Sequence, residues 1–139
     1  MNCVDHILLS RFYQIAKISV LILESSLPKI KNKELQTTIS NQMSNYDVLV
    51  EECRTLAKAH SISLPDNAFF KCCKQIIDSN FDNLSCISNQ ILIAFTTSLS
   101  LNTLAEIYDV ESVNTETINI GKHLQSMQEN NLQVLNQTN

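Results

Sequence analysis

The sequence predicts an all-α chain folded as a single helical-bundle domain, and three observations carry that prediction. Apolar residues recur at three- and four-residue spacings through most of the 139 residues. Gly121 is the only glycine, and Pro28 and Pro65 are the only prolines, too few for the turns of a sheet protein. A chain of this length loses roughly two-thirds of its unfolded surface on folding, enough for a core without disulfides or metal. The single glycine also excludes phosphate loops and dinucleotide fingerprints, which need several glycines close together.

The first helix is expected over 3–27. It places Ile7, Leu8, Phe12, Ile15, Ala16, Ser19, Ile22 and Leu23 on one repeat. Leu9, Val20 and Leu21 lie on other faces, so it should be the most buried helix. Pro28 disfavours α conformation at Leu27 and ends it. The second helix, over 32–60, opens on Asn32 as a cap, with Glu34 facing the positive end of the dipole. Its seam is the cleanest in the chain: Leu35, Ile39, Gln42 with Met43, Tyr46, Leu49 with Val50, Cys53, and Leu56 with Ala57. Ser61 to Pro65 reads as a loop, and Asp66 or Asn67 caps the third helix.

From Phe69 the stripe continues through Phe70, Cys73, Ile76, Ile77, Phe81, Leu84 and Ile87, then Ile91, Ala94, Phe95, Leu101, Leu104 and Ile107. As one rod this segment would reach ~60 Å against ~35–42 Å for the other helices. Asp78 to Ser85 is dense in side chains that compete for helical backbone hydrogen bonds. The third helix should therefore kink or break near residues 79–86, giving helices over 66–80 and 85–108 with the stripe in phase across the break. A single unbroken helix is the alternative. The last helix, over 113–135 and starting near Ser112 or Asn114, carries Val113, Thr117, Ile120, Leu124, Met127, Asn131, Leu132 and Leu135. The tail from Asn136 to Asn139 should fray. Four long helices joined by short loops fit a four-helix bundle.

A net charge of −4 and a pI near 5.2 offer no basic face to nucleic acid. Lys29, Lys31 and Lys33 read as a solvated turn. The longest apolar stretches, Ile18 to Leu23 and Ile91 to Phe95, fall short of the ~20 residues that span a bilayer. The N-terminus lacks the pattern of a signal peptide. No membrane role is expected, and a cytoplasmic location is. Cys3, Cys53, Cys72, Cys73 and Cys86 show no zinc spacing and read as reduced thiols, with Cys53 and Cys86 on or beside apolar stripes as structural filler. There is no Glu-x-x-His, and His6, His60 and His123 share no short spacing with carboxylates, so neither metal nor cofactor is expected. No strained nucleophile turn is visible, and no catalytic residue is assigned.

One constellation stands out. Gln42 and Tyr46 sit one turn apart in the second seam, and Asn131 lies in the last. Tyr13 and Lys17, also one turn apart, can contribute. Buried polar side chains find partners or cost ~1–3 kcal/mol each. The first reading is a hydrogen-bond network fixing helix register; the second is a polar core pocket for a small ligand. The lightly charged positions Gln125, Ser126, Gln128, Asn130 and Gln133, with the surplus apolar residues of the first helix, suggest docking surfaces.

The stretch Phe12-Tyr13-Gln14-Ile15-Ala16-Lys17 leads to Leu27-Pro28-Lys29-Ile30, followed by Leu35, Gln42, Tyr46 and Leu64-Pro65. With Glu129-Asn130-Asn131-Leu132-Gln133-Val134-Leu135, these resemble a Firmicutes family of small ferritin-like four-helix-bundle proteins. The resemblance spans nearly the whole chain and implies a fold without an assigned activity. It departs where that family reads Ser before His-Ile-Ala-Glu: here the residues are Ser85-Cys86-Ile87-Ser88-Asn89, and Ala94 and Ser98 stand where glycine is expected. Any function resting on that His and Glu is in doubt for this chain. The expected function is thus non-enzymatic association, as a two-fold homodimer or with a protein partner. A small-ligand-binding bundle is the alternative, and a ferritin-like metal-dependent oxidoreductase a distant third.

Overall fold

Local capping chemistry sets most of the helix boundaries. In the computed structural model, which describes residues 1–108 and 114–138, α1 runs Cys3–Ser26, α2 Lys33–Ala59, α3 Asn67–Phe81, α4 Asn89–Tyr108 and α5 Thr115–Gln137. Asn2 and Asp5 cap the first helix reciprocally: the Asn2 side chain accepts from the Asp5 amide and Asp5 from the Asn2 amide, each at 3.0 Å. Pro28 sits in a 3-10 turn, Leu27–Lys29, directly after α1. Asn32, Asp66 and Asn114 cap α2, α3 and α5, each accepting a backbone amide from the first turn. The expected start at 113, with Ser112 and Val113, lies outside the described residues, as does Asn139.

The C-terminus of α2 is closed without glycine. Ser61 takes a left-handed φ of 54°, the Ile62 amide reaches the Ala57 carbonyl at 2.8 Å, and the Ser61 amide reaches Lys58 at 3.4 Å. This is a Schellman closure with a serine where glycine is usual.

The helices α3 and α4 are separate, divided at 82–88. Lys29 holds the break in place: its ammonium donates to the Phe81 carbonyl at 2.6 Å and the Leu84 carbonyl at 2.7 Å. The Ile87 amide donates to the Lys29 carbonyl at 3.0 Å, so residues near 87 pair with the α1–α2 turn instead of starting α4. The next helix begins at Asn89, not 85. Of the tail expected to fray, Asn136 and Gln137 belong to α5 and Thr138 is buried. Asn89 donates to its carbonyl at 2.6 Å and to that of Leu135 at 3.2 Å.

Paired contacts give the directions. Tyr13 stacks edge-on against Phe70 and Ser25 bonds Asp78, so α3 runs parallel to α1. Gln42 faces Asn131 and Glu52 faces His123, so α2 and α5 are antiparallel. Arg11 meets Glu106 at 2.6 Å near one end of α1 and α4, and Ser19 approaches Thr96 further along, so these two are antiparallel. Asp5 accepts from the Asn114 amide at 2.7 Å and Phe12 packs on Gly121, so α1 and α5 are parallel. The helices α1, α2, α5 and α4 therefore form a ring, and α3 lies outside it, principally against α1.

The Phe12 ring explains the lone glycine. A Cβ on Gly121 would fall 2.3 Å from the Phe12 Cζ, so only glycine admits the fully buried ring between α1 and α5.

One patterning expectation fails. The stripe does not keep phase from α3 into α4: the buried residues of α4 are Leu92, Thr96, Ser100 and Thr103, while Ala94 and Leu101 face outward. Because the break decouples the two helices, α4 is free to dock on its own terms. It turns a small hydroxyl-bearing stripe inward.

Candidate functional site

Three of the polar residues singled out from sequence come together. Gln42 and Tyr46 on α2 and Asn131 on α5 are all buried, and Gln42 Nε2 donates to the Asn131 carbonyl at 3.4 Å. Burial pushes the Tyr46 hydroxyl pKa up, while the neighbouring side chains of Asn131 and Ser19 pull it partly back. Ser19 itself donates to the Ile15 carbonyl at 2.7 Å.

Tyr13 and Lys17 do not join this cluster. Tyr13 is buried against Phe70, its hydroxyl accepts from Arg54 at 3.4 Å, and the Lys17 ammonium lies 5.6 Å from the Phe70 ring centre. Their work is to seat α3 on α1 through ring and cation contacts.

A fourth member was missed. Gln128, assigned from sequence to an exposed docking face, is fully buried one turn before Asn131. The pattern pointed elsewhere because Met127 and Leu132 compete for the same seam; both are only half-buried. Four buried atoms of this cluster have no hydrogen-bond partner: Gln42 Oε1, both side-chain polar atoms of Gln128, and Asn131 Nδ2. Each such atom costs about 1–3 kcal/mol. The enclosed space beside Tyr46, bounded by Ser19, Thr96 and apolar side chains of α1 and α4, measures about 10 Å³. That is about the room one water needs and far too little for an organic ligand.

The second notable surface is the outer face of α4. Glu106 is the only charged residue in the helix, and it turns to Arg11. Thr96 and Thr103 donate their hydroxyls back to the Leu92 and Leu99 carbonyls at 2.8 and 3.1 Å, so these two inward hydroxyls are satisfied within the helix. Outward stand Ala94, Leu101 at 61% exposure, Ala105 and Tyr108 at 82%. Among the described residues, two segments could cross a membrane by length and composition alone, Cys3–Lys29 and Asn89–Tyr108, each with a mean hydropathy of 1.3. The first is a central helix of the ring, with 44% of its window buried; the second has 22%.

Among the described residues no three His, Cys, Asp or Glu side chains gather as a metal-binding group. His123 instead pairs with Glu52 through Nδ1 at 3.1 Å on the surface. Cys53 is buried, and burial, helped by Glu52, pushes its thiol to about 12; Cys3, Cys72 and Cys86 are exposed. No protein-family model, no curated protein and no solved structure matches this chain.

Proposed function

We propose that the chain is a non-enzymatic association module: a ferritin-like four-helix bundle that pairs with a second copy through the outer face of α4. The connectivity supports the fold. A single long connection carrying α3 joins the parallel helices α2 and α4, whereas α1–α2 and α4–α5 are antiparallel neighbours, as in ferritin-like bundles. The same reading extends the Firmicutes resemblance to the whole ring. It places the protein in the cytoplasm, without metal, cofactor or nucleic acid.

The observation that carries the association is the charge-free exposed face of α4. A solvated helix normally shows charged residues on its outer face. Here Ala94, Ser98 and Ala105 set small side chains along one line with Leu101 as its single large apolar residue, which lets a second helix approach closely. Two such faces related by a two-fold axis form a self-complementary contact.

Sedimentation tests it. A dimer is expected at micromolar concentration, and Leu101→Lys should return a folded monomer whose melting temperature matches that of the parent diluted below its dimerisation range. A chain that stays monomeric up to near-millimolar concentration overturns the proposal. So does flotation of the monomer with neutral lipid vesicles through the same Leu101-dependent face.

A further inference from the structure

A second surface lies on the far side of α5 from α4. Between α2 and α5 runs an open groove of about 710 Å³. Its floor is apolar: Val48, 57% exposed, then Leu56, Ala59 and Ile120. On α2 the lining residues Val48, Thr55 and Ala59 fall seven and four residues apart on one helix face, with Glu52 at its edge. Its length is ~16 Å at 1.5 Å per residue, three turns of a docked helix.

The walls are acidic. Asp47, Glu51, Glu52 and Glu116 rim the groove. Glu51 is partnered by Arg54 and Glu52 by His123, while no ion pair among the described residues involves Asp47 or Glu116. An apolar floor between carboxylate walls has a specific complement: an amphipathic helix with an apolar stripe at i, i+3 or i+4, and i+7, flanked by Lys or Arg.

We propose that this groove binds a cationic amphipathic helix of another protein. It deepens the partner-binding side of the association reading without depending on the α4 dimer. A second copy is a poor occupant, since the chain carries a net −4. Its most basic helix, α3, sets Lys71 and Lys74 against Asp78, and Lys74 is engaged by Glu24 and Asp78. An anionic lipid surface meets four carboxylates and is repelled.

The test uses the full chain and two fluorescein-labelled 18-residue peptides. One is an amphipathic helix built of Leu and Lys; the other has every Lys replaced by Glu. Anisotropy should show the Lys peptide binding at least tenfold more tightly than the Glu peptide. Asp47→Lys with Glu116→Lys should weaken it at least tenfold, and Val48→Asn should also weaken it. Asp82→Lys with Glu129→Lys changes the net charge equally but lies away from the groove, and should alter affinity less than twofold. Binding should persist in Leu101→Lys, which separates this result from the fate of the dimer. Amide shifts on peptide addition should centre on Val48, Ala59 and Ile120. Equal loss in both double variants, shifts centred on α4, or no binding of the Lys peptide at millimolar concentration each overturn the proposal.

Discussion

The helices α2 and α4 belong to the same ring but distribute polarity in opposite senses. The first buries Leu35, Ile39, Leu49, Val50 and Cys53 and exposes acids, bases and amides. The second buries Thr96, Ser100 and Thr103 beside a single fully covered leucine, Leu92, and exposes Leu101 and Tyr108. A helix with one polar face is held by the cost of wetting its apolar stripe. In α4 apolar and uncharged polar residues are spread around the helix, so no stripe dictates the choice, and docking is set by shape: small hydroxyl-bearing side chains allow close approach to α1 and α5. The outer apolar surface is the remainder.

The largest expected contrast is between one leucine from each helix. Leu49→Ala removes a fully buried side chain from α2 and should cost about 2–5 kcal/mol. Leu101→Ala should shift the stability of dilute protein by no more than ~0.5 kcal/mol, because its side chain stands in solvent. Urea unfolding of both variants at low concentration checks the pair. Equal losses would mean that α4 packs like α2.

The amide cluster offers a contrast inside the core. Gln128→Leu exchanges two unpartnered polar atoms for apolar ones and should stabilise by about 1–3 kcal/mol. Tyr46→Phe removes a hydroxyl that has neighbours in Ser19 and Asn131, and should cost on the order of 1 kcal/mol. Opposite signs in urea melts support the assignment of partners. Two losses would mean that Gln128 is hydrogen-bonded in solution.

A pH profile probes the start of α1, where it meets α5. Burial would raise the Asp5 carboxyl, but the amides of Asn114 and Asn2 outweigh it and hold the group below its ordinary 3.8. A lowered folded value means that the carboxylate stabilises above its unfolded pKa and loses that contribution as pH falls through the folded one. Asp5→Asn should therefore be less stable than the parent at pH 7, and the gap should close only as the pH falls through the lowered folded value of Asp5. Parallel curves for the two proteins would remove Asp5 from the link between α1 and α5.

The smallest effect concerns the end of α2. Ser61→Gly relieves a left-handed serine and should stabilise by roughly 0.5–1 kcal/mol, read as a small rise in melting temperature.

Legibility in the sequence divides along the same line as the two helices. The seam of α2 and the caps Asn32 and Asp66 could be read because each is a local matter, settled within one turn of chain. The separation of α3 from α4 was signalled by the polar run from Asp78 to Ser85, which weakens helix where it stands. The rotation of α4 was not readable, since its apolar and uncharged polar residues are spread around the helix and single out no face. Nor was the burial of Gln128, which depends on the facing surfaces of α2 and α4. The pairing of Gln42 and Tyr46 with Asn131 was half readable: the seams identified the residues, but only the antiparallel match of α2 and α5 brought them level. Tyr13 and Lys17 shared the same spacing and went to α3 instead. Position on a helix face does not reveal which neighbour that face will meet.

The parallel course of α1 and α5 fixes how this domain can be connected to anything else. Met1 lies near the start of α5, whereas Thr138 lies near the start of α4, at the other pole. The two are separated by about the length of α5, ~35 Å at 1.5 Å per residue. Sequence added before Met1 and sequence added after Thr138 would leave from opposite ends. Joining the ends in a circular permutant would take at least ~10 extended residues, more still if the linker must skirt the ring. A tether at either terminus thus holds the molecule upright by one pole and leaves both the α4 face and the α2–α5 groove turned sideways, open along their length.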